Sequence, residues 1–173
     1  SVMVRWNKAS LGWVKLNVDR SKLGDGRAGG GGLVHDSAGD MLFGFAEGFG
    51  LVFVVQAELM ALIRGLELCL EKNLLRVEVD MDSLTVVSLV NKRRGGPWHL
   101  AYLLQKVRLL LVKVQGSLSH IYREANCPTN VLAAMGGQGL GFRLFTQSSL
   151  IHKVRGAVRI DKLQLPAWRF TVH

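Results

Sequence analysis

The chain has no apolar run long enough to cross a bilayer; its longest candidate, around Leu51 to Val55, has the length of a strand or a helix segment. Its start does not read as a secretory leader, because Arg5 and Lys8 are followed by mixed polar sequence instead of an apolar stretch. Opening on Ser1, the chain is expected to be a piece of a longer product. Cysteine is scarce. Cys69 and Cys127 are too few for a disulfide framework, and Cys69 falls in an apolar helical pattern that marks it as core. An intracellular, reducing compartment is the expectation, with nucleus and cytoplasm left open, since Lys92-Arg-Arg94 is too short for a targeting signal.

Acids are missing where bases gather. Lys92, Arg93, Arg94, Lys106, Arg108, Lys113 and Arg123 follow one another with no Asp or Glu between them. Beyond Gly137 the single acid Asp161 faces Arg143, Lys153, Arg155, Arg159, Lys162 and Arg169. With a net charge of +9, this one-sidedness favours a polyanionic partner through counterion release, although a solubilising surface has the same composition. Several chemistries are absent. The glycines at 29–32 lead into a strand with no Gly-Lys-Ser/Thr after them, so they are not a phosphate loop. The five histidines have no zinc-ligand spacing with the cysteines, and there is no Gly-x-Ser-x-Gly elbow.

What is present suits one domain. An apolar fraction of 49% over 173 residues supports a packed core without disulfides. Residues 1–140 carry the periodic patterns, and 141–173 read as a basic tail without a strong period. Trp13 to Asp19 alternates as a strand closed by Asp19; Gly29 to Asp36 and Met41 to Glu47 continue an antiparallel meander through turns at Gly24-Asp-Gly26 and Asp36-Ser-Ala-Gly39. Val55, Leu59, Leu62, Leu66 and Leu70 then recur at helical spacing to about Asn73. Leu75 to Asp80 reads as a buried strand, and Asp82-Ser83 as the cap of a helix to Asn91. A basic amphipathic helix from Leu100 to Val114, a strand from Leu118 to Arg123 and a helix opened by Pro128 complete the order βββαβααβα. Helix-linked strands after a meander predict an α/β fold with a mixed sheet, its later strands parallel to the first.

Asp19, Glu58, Asp82 and Asn130 all fall near ends of predicted elements. If the first and fourth strands are neighbours, Asp19 and Asp82 meet at one edge of the sheet and Glu58 leans in from the helix. Two carboxylates about 4 Å apart repel by roughly 4 kcal/mol at an effective dielectric near 20, so convergence calls for a neutralising cation. Oxygen-only ligands suit Mg²⁺ or Mn²⁺, and two such ions about 3.5–4 Å apart serve phosphodiester hydrolysis. Singly, each acid has an ordinary role: Asp19 in a turn, Asp82 as an N-cap, Glu58 as a first-turn acid favoured by the helix dipole.

Five stretches occur together in one order: Trp13-Val-Lys-Leu-Asn-Val-Asp19, Arg27-Ala-Gly-Gly-Gly-Gly-Leu-Val34, Gln56-Ala-Glu-Leu-Met-Ala-Leu62, Val79-Asp-Met-Asp-Ser-Leu84 and His120-Ile-Tyr-Arg-Glu-Ala-Asn126. Over roughly Trp6 to Gly136 they resemble the plant RNase H-like domain, the reverse-transcriptase-like type of non-LTR retroelements. The resemblance implies a five-stranded RNase H-like mixed sheet flanked by helices. It also implies a four-acid site holding two Mg²⁺ (or Mn²⁺) that cuts the RNA strand of RNA–DNA hybrids. On the matching motifs, Asp19, Glu58 and Asp82 take the first three acid positions and are the expected metal ligands. Arg20, Ser21, Gln56, Ser83 and Arg94 are the expected nucleic-acid contacts.

Two positions depart from that family. Asn130, in Thr129-Asn-Val-Leu-Ala133, stands where the fourth acid is expected and offers an oxygen without charge, which weakens the second ion. Arg20 stands where glycine usually follows the first acid; it can crowd the backbone, point away on the other strand face, or grip a phosphate. The leading expectation is a monomeric, metal-dependent ribonuclease H weakened by Asn130, acting on RNA–DNA hybrid and not on membranes. The alternatives are a catalytically impaired module, derived from a retroelement, that binds hybrid or double-stranded RNA, and a protein-interaction domain using the Leu100–Val114 helix.

Overall fold

The computed structural model describes residues 1–92, 95–139 and 141–170. After a short strand Val2–Val4 (β1), the meander is present as Val14–Lys22 (β2), Arg27–His35 (β3) and Met41–Leu51 (β4), each antiparallel to the next. The turn between β3 and β4 is closed by Asp36, whose Oδ1 accepts the N–H groups of Ala38 and Asp40 at 3.0 and 2.9 Å. Helix Val54–Glu71 (α1) crosses to Val77–Met81 (β5), which lies parallel to β2; Leu84–Asn91 (α2) and Ala101–Lys113 (α3) then lead to Ser117–His120 (β6), parallel to β5. Cys127–Gln138 (α4) follows, with Pro128 in its first turn, where a missing N–H costs nothing.

The last segment has more order than its sequence pattern predicts. Phe142–Phe145 (β7) pairs antiparallel with β4, so the mixed sheet has six strands, in the order β6-β5-β2-β3-β4-β7, where five were expected. Helix His152–Lys162 (α5) packs on α4, and Ala167–Arg169 (β8) pairs with β1 in a separate two-stranded ribbon. β7 and β8, of four and three residues, are too short to display a period, whereas the eleven residues of α5 alternate at helical spacing and could have been read as a helix. The first expected strand is also corrected: β2 runs past Asp19 to Lys22, so Asp19 sits inside it.

The two faces of the sheet are covered differently. On one, Leu16 and Val18 of β2 and Val79 and Met81 of β5 join Leu59, Leu62 and Leu66 of α1 and Leu104 and Val107 of α3 in the main core. On the other, α4 lies directly against the glycine run of β3. A Cβ on Gly29 would stand 2.0 Å from the backbone nitrogen of Gly137, and one on Gly31 2.5 Å from that of Ala133. Backbone meets backbone there, which only glycine permits. This contact fixes how deeply α4, and Asn130 on it, sits beside β2. Among the described residues no helix is long and apolar enough to cross a membrane.

Candidate active site

Strand pairing brings the first and third acids together. Val18 of β2 is in register with Met81 of β5, so Asp19 and Asp82 follow side by side at the same end of two parallel neighbours. Asp19 is buried, and its carboxyl is pushed up to about 7, first by burial and then by the charge of Asp82. The charges of Arg20 and Arg123 and the Arg20 backbone N–H act in the opposite sense.

Glu58 is reached from the other face. Alternation along β2 turns Leu16, Val18 and Arg20 toward α1, and turns Asn17, Asp19 and Ser21 toward α4. Consistently, a Cβ on Gly65 of α1 would touch Leu16 and Val18, while Ser21 Oγ donates to the carbonyl of Ala133 on α4 at 2.6 Å. Arg20 therefore meets Glu58, its Nε standing 3.4 Å from Oε1. Ser83 Oγ donates to the second oxygen, Oε2, at 2.7 Å and also accepts the Val86 N–H that opens α2. Burial raises the Glu58 pKa, with Asp82 adding to it, while Ser83 and Arg20 oppose the rise.

Asn126, Asn130, Ala133 and Gly137 share the strand-facing side of α4. Asn126 Nδ2 donates to the Val18 carbonyl at 3.0 Å, fixing the helix start next to Asp19. Asn130 lies one turn on, between that bond and the Ser21–Ala133 bond, and its buried Oδ1 has no hydrogen-bond partner. An orphaned oxygen at this place lacks a donor or a cation.

The donor set, all oxygen, fits a hard divalent cation in its chemistry. Its arrangement does not yet gather it: among the described residues, no three Asp, Glu, His or Cys side chains are grouped to hold a metal ion. Both Glu58 oxygens are engaged, by Arg20 and by Ser83, and Glu58 approaches from the face opposite to Asp19.

The expected nucleic-acid contacts are dispersed. Arg20 and Ser83 adjoin Glu58; Ser21 is bonded to α4; Gln56 Oε1 accepts the Phe53 N–H at the start of α1, at 3.0 Å. Arg94 lies outside the described residues. The basic stretch is also partly neutralised: Lys106 Nζ is 2.8 Å from Glu67, and Arg108 is tied to the carbonyls of Leu89 and Val90. Two residues at the site, Arg123 and Asn126, were not expected there from sequence. Both belong to the His120–Asn126 stretch, a recognisable motif in which neither residue had an assigned role.

A family model described as reverse transcriptase-like matches residues 17–136. A protein of Arabidopsis thaliana, provisionally named a ribonuclease H protein, is 33% identical over 172 residues, covering 94% of this chain; the chain spans 28% of that protein's length. Among solved structures, RNase H1 of the halophilic archaeon Halobacterium salinarum NRC-1 superposes with a TM-score of 0.67 at 24% identity, over 72% of this chain and 96% of that one. LC11-RNase H1, isolated from compost and solved in complex with RNA/DNA hybrid, superposes with a TM-score of 0.64 at 26% identity, over 72% and 96% of the respective chains.

Proposed function

This chain belongs to the reverse transcriptase-like family and has the RNase H fold, and from that premise we propose that it is a ribonuclease H-type domain that binds RNA–DNA hybrid and hydrolyses its RNA strand with the help of a divalent cation. The observation that carries the reading is the side-by-side placement of Asp19 and Asp82 at the ends of β2 and β5; Asn130, its oxygen unpartnered, lies on the stretch of α4 that Asn126 and Ser21 tie to β2. Asp19 and Asp82 would hold the ion, Glu58 would join them on leaving Arg20, and Asn130 would add a neutral oxygen. A divalent ion at such a site neutralises charge on the attacked phosphodiester and lowers the pKa of the attacking water. The chain's own groups do the rest. Asn126 keeps α4, and hence Asn130, against Asp19. Ser83 holds Glu58 on the α2 side, and Arg123, exposed and electrostatically within reach of Asp19, faces an incoming phosphate with positive charge.

Two features slow this chemistry. Asn130 removes one negative charge from the ligand set, and the Arg20 guanidinium opposes cation binding. They favour a second reading, a hybrid-binding module that has lost efficient cleavage. The experiment is cleavage of labelled RNA–DNA hybrid with Mg²⁺ or Mn²⁺ by the parent chain, Asn130→Asp and Asp19→Asn. The nuclease reading expects slow parental cleavage, a faster Asn130→Asp and an inactive Asp19→Asn. A silent parent revived by Asn130→Asp assigns this chain to the binding module. Silence in both, with hybrid binding retained, overturns the nuclease reading.

A further inference from the structure

We propose that Arg20 is a resident counter-cation of the acid site, seated on Glu58, which a divalent ion must displace to gain its third carboxylate. The proposal rests on the reading of Asp19, Glu58 and Asp82 as a cation site. It adds that loading is an exchange of one cation for another, not the filling of an open cage.

Three observations converge. Strand alternation sends the residue after Asp19 to the face of α1, where Glu58 waits, so a long cation at this position can reach an acid that its neighbour Asp19 does not face. Its partner across β2 and β3 is Gly30, so β3 itself puts no side chain opposite Arg20. Contact is made at 3.4 Å from Arg20 Nε to Glu58 Oε1, while Ser83 closes Oε2. Both Glu58 oxygens are thus occupied, and no three-carboxylate group forms among the described residues.

The side chain is also free to leave. Glu58 is 9% exposed at its side chain and Arg20 35%, so the acid is fixed and the guanidinium borders solvent. A point cation at the ends of β2 and β5 would draw on Asp19 and Asp82 and, once Glu58 turns toward them, on a third carboxylate, whereas Arg20 has a bonding contact with Glu58 alone. Exchange is therefore favourable at sufficient ion concentration, and the domain is expected to need more metal than a site with glycine here.

The test is isothermal titration of Mn²⁺ into the full chain and into Arg20→Gln, Arg20→Lys, Arg123→Gln and Asp19→Asn, followed by the Arg20 Nε–H resonance in the parent during Mg²⁺ addition. Arg20→Gln is expected to bind Mn²⁺ on the order of tenfold more tightly, the scale set by one nearby charge at a partly solvated site. Arg123→Gln, which removes a charge without touching Glu58, should gain less. Adding Glu58→Gln to Arg20→Gln should erase the gain, and in the parent Mg²⁺ should move the Nε–H signal. If the parent binds Mn²⁺ in a manner lost with Asp19→Asn, yet Arg20→Gln binds no better and the Nε–H signal stays still, the counter-cation role is overturned and the cation site survives. If no variant binds Mn²⁺, both fall. Should Arg20→Gln fold poorly, Arg20→Lys and the resonance of the parent still decide.

Discussion

The hydroxyl of Ser83 joins Glu58 to α2: it donates to Glu58 Oε2 at 2.7 Å and accepts the Val86 N–H at 3.3 Å. One side chain thus caps a helix and orients an acid that belongs to another. Its removal has two separable consequences. Ser83→Ala is expected to destabilise the chain by about 1 kcal/mol in urea unfolding, the typical loss of an N-cap. It should also release one Glu58 oxygen. Ser83→Asp, which keeps a capping oxygen but repels Glu58, should recover less than the full loss, and full recovery would refute the link.

The contact between α4 and β3 should be the least tolerant place in the fold. Gly29→Ala would drive a methyl to 2.0 Å from the Gly137 backbone nitrogen, so α4 must move away. A loss of about 3 kcal/mol or more is expected, with weaker metal binding because Asn130 moves too. At Gly156 in α5 an added methyl would meet nothing within 4 Å, and there Ala should stabilise by about 0.5–1 kcal/mol. Chemical denaturation of both variants checks the contrast.

Two buried groups away from the acid site give stability opposite pH dependences. His35 is buried, neither ring nitrogen has a hydrogen-bond partner, and burial lowers its pKa from 6.5 to about 4. The unfolded chain binds this proton more readily, so its contribution is fully present above about 6.5 and is lost as pH falls toward 4. Asp161 is buried too, and burial raises its carboxyl from 3.8 to about 7. Here the folded chain keeps the proton, so stability is present below 3.8 and is lost as pH rises to 7. Asp161→Asn is expected to stabilise the chain at pH 8 by on the order of 4 kcal/mol and to change little at pH 4. An equal effect at both pH values would refute this.

Hybrid binding should respond to salt. The cations that remain unpaired act through counterion release, so affinity measured by fluorescence anisotropy is expected to fall about tenfold or more between roughly 50 and 200 mM salt. A salt-independent affinity would point instead to a protein partner on α3.

Much of the fold was legible because its signals are local. Alternation marked β2, the spacing of Leu59, Leu62 and Leu66 marked α1, and Pro128 marked the opening of α4. The sixth strand was not legible, since β7 is four residues long and gains its identity from β4, nearly a hundred residues earlier. The same holds for β8, which is a strand only because β1, at the other end of the chain, lies beside it.

At the site the division is sharper. Residue order, read through the family resemblance, named the side chains expected to carry chemistry: three acids, an amide in place of a fourth, and an arginine next to the first acid. Register alone placed Asp19 next to Asp82, and the packing of α1 on β2 joined Arg20 to Glu58 while leaving Asp19 on the opposite face. A residue's type is a local property of the chain, but a carboxylate's partner depends on which face meets which helix. Long-range packing sets that, and no spacing along the sequence encodes it.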